Sequence, residues 1–277
     1  MKPLAGLTVV SLAINAPGPV AAARLRDYGA RVIKIEPPEG DPLNHLGTGW
    51  YSELSADMDV RTINLKDPAG RAQLDDTLEH ADLLLTAQRP SKLAKLGLSW
   101  PALHARFPRL CWVAIVGYPP PNEDVPGHDL NYQAYYGTLT PPQMPRVLVA
   151  DMAGAERATT AATALLIGRE RGREAGFEYV ALSEAAEAFS KTVAYNITVE
   201  GGVLGGGLPN YRIYETKSGY LAVGALEFHF FHGLMRALDL TPDDTDKLGE
   251  IFLTRSAAEW ETWAEEFDLP LKAIKGT

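Results

Sequence analysis

Three polar residues stand out from their surroundings in type and position. His128 lies in Pro126-Gly-His-Asp-Leu-Asn-Tyr132, a polar cluster inside a proline-rich stretch. Asp151 stands where the apolar run Val147-Leu-Val-Ala150 gives way to a long Ala-rich segment. Glu227 closes a second apolar run, Leu221-Ala-Val-Gly-Ala-Leu226. Imidazoles and carboxyls are the groups that functional sites tune to titrate near neutral pH. Their spacing alone is equally that of structural residues: a carboxylate at a helix start satisfies free N–H groups and suits the helix dipole, and a loop histidine is most often solvated. His229 and His232 sit three apart on a predicted helix, close enough to share a metal, but no further ligand is arranged with them, so a packed or solvated pair and no metal site are expected. The chain has no Gly-Lys-Ser/Thr phosphate loop, no GxGxxG between strand and helix and no GxSxG, which leaves nucleoside triphosphates, dinucleotide cofactors and serine hydrolysis unsupported.

The elements that must position these residues follow from hydrophobic patterning. Strand-like runs at 7–12, 31–35, 61–65, 82–86, 110–116 and 177–182 alternate with helix-like segments at 20–28, 68–80, 99–107, 153–170 and 183–196. Such alternation predicts an α/β fold with a mostly parallel sheet covered by helices. Ser183 is the expected N-cap of the last of these helices. Residues 117–145 hold many of the prolines and glycines and read as irregular. Gly201-Gly-Val-Leu-Gly-Gly-Gly207 is flexible, because glycine loses the most backbone entropy on ordering. A domain boundary is expected near residue 200, giving a large domain over 1–200 and a smaller α/β domain over 201–277. In the latter a hairpin at 211–216 and 220–225 turns on Lys217-Ser-Gly219, helices follow at 228–238, 241–251 and 256–267, the last with a Ser256/Glu259 capping box, and a strand at 269–274 ends the chain.

The chain has 277 residues, 46% of them hydrophobic and 22% charged, values of an ordinary globular protein with a real core. Its net charge of −9 makes nucleic acid and anionic membranes poor partners. Cys111 is the single cysteine, so neither an intrachain disulfide nor a cysteine-based zinc site can form, and a reducing, cytoplasmic setting is expected. The apolar N-terminus resembles a secretory leader until Asn15, Pro17, Gly18 and Pro19 interrupt it; a strand, turn and helix are expected there instead. No apolar stretch approaches the roughly 20 residues of a membrane span.

Several segments, in collinear order, resemble the family III CoA-transferases (CaiB/BaiF), which include the α-methylacyl-CoA racemases. They are Pro3-Leu-Ala-Gly-Leu-Thr-Val-Val10, Ala16-Pro-Gly-Pro19, Tyr28-Gly-Ala-Arg-Val-Ile-Lys-Ile-Glu-Pro37 with Gly40-Asp41, Asn64-Leu-Lys66, Arg89-Pro90 with Lys95-Leu-Gly-Leu98, Gly127-His-Asp-Leu-Asn-Tyr132, Ala150-Asp151, Gly224-Ala-Leu-Glu227 and Phe252-Leu-Thr-Arg255 with Glu259-Trp260. The resemblance implies a Rossmann-like large domain and an interlocked homodimer acting on a CoA thioester as substrate, with no other cofactor. It gives His128 and Asp151 the roles of acid and base on opposite faces of an α-carbon, with Glu227 supporting the histidine. In the transferases the residue matching Asp151 is instead a nucleophile that carries the acyl group as a mixed anhydride. The intact Gly-His-Asp-x-Asn-Tyr pattern favours the racemase branch. Leu65, Lys66, Arg89, Lys95, Gly127, Asp129 and Tyr132 are implied to contact substrate or CoA. Some family positions differ here. Leu43-Asn44-His45 stands where an arginine is usual, Asp57-Met-Asp-Val-Arg61 replaces a basic run, Ser91 replaces a glycine, Val147 replaces an asparagine, and the family continues beyond the last residue of this sequence. These departures define a competing expectation, an acyl-CoA-binding member without catalysis.

Overall fold

The structure is a computed structural model and describes residues 1–276. Two compact units divide between Ser190 and Lys191. In the first, β1 (Thr8–Ser11), β2 (Arg31–Glu36), β3 (Asp59–Thr62), β4 (Leu83–Thr86), β5 (Cys111–Val116) and β6 (Phe177–Ala181) form one sheet. Its order is β3-β2-β1-β4-β5-β6 with every neighbouring pair parallel, the order of a Rossmann-type sheet. The connecting helices are α1 (Pro17–Asp27), α2 (Pro42–Leu46), α3 (Thr48–Ser55), α4 (Pro68–Leu78), α5 (Pro90–Lys95), α6 (Trp100–Arg106), α7 (Asp129–Tyr135), α8 (Val149–Glu170) and α9 (Leu182–Phe189).

The period-two alternation of the strands makes two cores. Val9, Leu83, Leu85, Val113 and Ile115 pack beneath α1 and α8, while Val10, Leu84, Trp112 and Ala114 pack beneath α4 and α6. Ala155, Ala158 and Ala162 keep the buried face of α8 small, and at Gly154 any Cβ would stand 2.2 Å from Leu182 Cδ2. That closeness holds α8, and with it Asp151, against the start of α9.

Four differences from the sequence expectations have local causes. The short helices α2 and α3 carry too few turns to show a period; Asp41 caps α2 by accepting the Leu43 N–H at 3.0 Å. Within 117–145, expected to be irregular, lies α7, again only two turns long. β3 begins at Asp59 rather than 61, because Ile33 to Glu36 of β2 pair with Asp59 to Thr62, and Ile63 turns into the core. The helix expected over 183–196 starts at Leu182 and stops at Ser190, whose hydroxyl donates to the Glu187 carbonyl; Ser183 is not its N-cap but is buried, with its N–H on the Gly117 carbonyl.

One buried charge cluster carries no apolar signature at all. Lys34 on β2 is 1% exposed. Its ammonium donates to Asp41 Oδ2 at 2.8 Å and to the Glu36 carboxylate. The Tyr51 hydroxyl donates to Glu36 at 2.7 Å, and burial together with that carboxylate pushes the phenol up to about 12. Lys34→Ala would leave two buried carboxylates without their cation, so a loss of about 3–5 kcal/mol in unfolding free energy is expected from urea denaturation. A loss below about 1 kcal/mol, the scale of an exposed pair, would contradict this.

The second unit holds α10 (Lys191–Ala194), the antiparallel strands β7 (Tyr211–Glu215), β8 (Tyr220–Gly224) and β9 (Leu271–Ala273), and the helices α11 (Phe228–Ala237), α12 (Leu248–Phe252) and α13 (Ala257–Glu266). Leu221, Val223, Leu234, Phe252 and Trp260 are central to its core. The Ser256/Glu259 capping box forms, with Ser256 N–H on Glu259 Oε2 at 2.8 Å. The helix expected over 241–251 is shorter, because Thr241 binds the Asp244 carboxylate and a tight turn at Thr245–Lys247 precedes α12. The glycines of 201–207 fold into a turn of this unit, with Gly202 N–H on Val199 O and Leu204 N–H on Ile197 O, both at 2.8 Å. They mark no break in the chain.

Candidate active site

In the first unit the sheet reverses its winding between β1 and β4, the point at which open α/β sheets bind ligands outside the carboxyl ends of their strands. A cavity of about 340 Å³ lies there. Ile14 and Asn15 after β1, Gln88 and Arg89 after β4 and Gly117 after β5 contribute walls, and His128, Tyr132 and Asp151 complete it. The turn after β1 is fixed from outside: Asn15 has φ +67° and its N–H is held by Asp41 Oδ1 at 2.9 Å.

His128 occupies the N-cap position of α7, its backbone N–H bound to Asn131 Oδ1 at 3.0 Å, and its side chain is exposed toward solvent. Two turns of sequence thus aim an imidazole without burying it. Tyr132 is 1% exposed. A Cβ added to Gly117 would meet its hydroxyl at 2.4 Å and one added to Gly127 at 2.7 Å, so both glycines exist as room for that phenol. Burial first, then Tyr118, Asp151 and Asp129, hold the phenol well above its usual range.

Asp151 stands in the first turn of α8. Burial, and after it the charge of Asp129, push its carboxyl up to about 7. A carboxyl that titrates there takes and gives protons at neutral pH, which an ordinary aspartate does not. The same shift has a cost in stability. The folded chain retains this proton over a range in which the unfolded chain has released it, so stability falls as pH rises from about 4 to about 7 and is then level, by up to about 4 kcal/mol for this group. Asp151→Asn is therefore expected to raise the thermal unfolding temperature at pH 8 by several degrees and to change it little near pH 4.5. An equal effect at both pH values would contradict the shift.

A second cavity of about 530 Å³ adjoins along Ile14, Gln88 and Lys92, which line both. Leu12, Ile35, Ile63 and Leu93 give it apolar walls, and Leu65, Lys66, Lys92 and Lys95 stand on it. Of the residues implied to contact CoA, Lys66, Leu65 and Lys95 gather here, while Arg89 lines the first cavity with Gly127 and Tyr132. Lys92 belongs to none of the motifs that carry the family resemblance. Its signal is its place three residues before Lys95 on α5, which puts both ammonium groups on one helix face. Asp129 is placed differently from its expected contact with substrate. It is buried, and its carboxylate turns inward onto the N–H groups of Ala150 at 2.7 Å and Asp151 at 3.1 Å. Glu227 belongs to the second unit, exposed at the N-cap position of α11, where it makes no side-chain cap. His229 and His232 on α11 pack against Phe230 and Phe228 respectively, each with ring centroids 4.0 Å apart.

CoA-transferase family III matches residues 4–276, and the chain belongs to that family. Human alpha-methylacyl-CoA racemase is 29% identical over 93% of this chain and 74% of its own length. Succinyl-CoA–D-citramalate CoA-transferase of Chloroflexus aurantiacus is 28% identical over 86% of this chain; the match spans 65% of that enzyme. Among solved structures, a hypothetical protein from Mycobacterium tuberculosis superposes with a TM-score of 0.81 at 23% identity, covering 100% of this chain and 84% of that one. A CaiB/BaiF family protein from Brucella suis gives 0.80 at 23% identity over the same shares. The fold is that of this family, whose members here include both racemases and CoA-transferases.

Proposed function

We propose that this protein epimerises the α-carbon of a 2-methylacyl-CoA by two-base proton transfer. The observation that carries this is a single cavity lined by an imidazole, His128, and by a carboxyl, Asp151, poised to hold a proton near neutral pH. An α-proton beside a thioester is weakly acidic, so a positioned base and a stabilised enolate oxygen are needed. Neutral His128 takes the proton; the C–H electrons pass into the thioester carbonyl and form the enolate. Protonated Asp151 then delivers its proton to the opposite face while the enolate electrons return to carbon. The two residues exchange roles in the reverse direction, and no redox cofactor enters the balance. The CoA portion extends into the second cavity, whose apolar walls suit a purine and whose lysines suit phosphates. Following the family resemblance, the working protein is a homodimer in which Glu227 of one copy supports His128 of the other; a compact monomer in sedimentation at micromolar concentration would oppose that part.

Transferase relatives favour a second reading, in which Asp151 attacks the thioester, expels CoA thiolate and carries the acyl group as an anhydride. Supplying one epimer of a 2-methylacyl-CoA with and without a free carboxylic acid separates the two. Conversion to both epimers without the acid supports racemisation. CoA appearing on the added acid, with the first epimer's configuration kept, supports transfer.

A further inference from the structure

α8 begins without a cap of its own. Its N-cap residue is Leu148, which has no side-chain acceptor, yet the helix must start here because Asp151 stands in its first turn. The acceptor comes from outside the helix. Asp129 Oδ1 takes both the Ala150 and the Asp151 N–H, and Asp129 Oδ2 is held at 2.5 Å by the Gln133 side-chain amide. That amide also donates to the Val147 carbonyl at 3.1 Å, one residue before the N-cap. Asp129 and Gln133 are 4% and 2% exposed, so this clamp between α7 and α8 is buried. A carboxylate so placed does two things: it sets the backbone from which the Asp151 side chain projects, and it puts a buried negative charge beside a second carboxyl.

We propose that Asp129 is the positioning residue of this site, fixing where the Asp151 carboxyl stands and setting a buried negative charge beside it. The inference rests on the reading of Asp151 as an acid–base group. It also accounts for an aspartate next to the catalytic histidine whose carboxylate is spent on the protein. The other charged or titratable groups lining the cavity with Asp151 are Arg89 and Lys92 from the segment after β4, Glu123 from the segment after β5, and His128 and Tyr132 with α7; α1 and α9 contribute Pro17 and Leu182 to its wall. Of all these, Asp129 alone is bonded to the Asp151 backbone.

The test is carboxyl-carbon NMR titration of protein labelled at aspartate, with the Asp151 signal assigned by its loss in Asp151→Asn. Asp129→Asn keeps an acceptor at the helix start and removes the charge. The Asp151 titration is expected to move toward acid by on the order of one pH unit, staying above an ordinary aspartate because burial persists. Asp129→Ser, another neutral helix cap, should give the same displacement if the Asn variant folds poorly, and Asp129→Glu should largely prevent it. An Asp151 titration unmoved in both folded neutral variants, or moved equally by Asp129→Glu, would overturn the proposal. Because the readout needs no turnover, a shifted titration in a protein without epimerase activity would retain the Asp129 assignment and reject only the reaction.

Discussion

Removal of either His128 or Asp151 is expected to abolish inversion while leaving different partial reactions. With His128→Ala, exchange of the α-proton with solvent should cease for the epimer whose proton faces the imidazole and persist for the other. With Asp151→Asn the pattern should reverse. Each single loss of an acid–base group should lower epimerisation by on the order of 10²–10⁴-fold. The asymmetry is the informative part, since loss of fold or of CoA binding would lower both exchanges together. Transfer chemistry gives a different result: His128→Ala would keep most activity, Asp151→Asn would lose all of it, and hydroxylamine would trap an acyl group on Asp151 only. A His128→Ala enzyme of unchanged activity would leave Asp151 standing alone as a nucleophile.

The second large effect concerns the three lysines of the second cavity. Lys66, Lys92 and Lys95 line one trough, and two of them share a face of α5. If they hold CoA phosphates, replacing all three by alanine should raise KM for the acyl-CoA by about 10²-fold or more while kcat changes little. Charge-assisted hydrogen bonds of this kind contribute about 1.5–3 kcal/mol each, less where solvent screens them. The native affinity should also fall with added salt, and the triple variant's should not. Calorimetry with acetyl-CoA showing one affinity for both proteins would dismiss this trough as the CoA site. The chain's net charge of −9 makes the test sharp, because no general attraction for an anionic ligand is available to substitute.

The sheet was legible in the sequence because its strands are buried on both faces: Leu83 to Leu85 and Cys111 to Val116 read as unbroken apolar runs. The candidate site positions were legible only as polar residues in unusual company; what gave His128 and Asp151 a proposed chemistry was the likeness of their surrounding motifs to a family. Three things escaped. The helix α7 is too short to build a period, so patterning places His128 in a loop although it stands at a helix start. Asp129 reads as a substrate contact only through the motif it shares with Gly127 and Tyr132; that its carboxylate reaches Ala150 and Asp151 depends on the packing of α7 against α8, which the local sequence does not encode. Lys34 lies among the apolar residues of β2, and only the fold brings Asp41 and Glu36 onto its ammonium.

Two-base epimerisation is proton traffic at one carbon, and solvent deuterium follows it directly. A single epimer of a 2-methylacyl-CoA, incubated with the protein in heavy water and no carboxylic acid, should give the opposite epimer carrying one deuteron at the α-carbon, seen by proton NMR as loss of the α-signal and collapse of the methyl doublet. Product of inverted configuration that retains its α-hydrogen, or substrate recovered as the starting epimer with no deuterium at the α-carbon, would contradict a two-base reaction at His128 and Asp151.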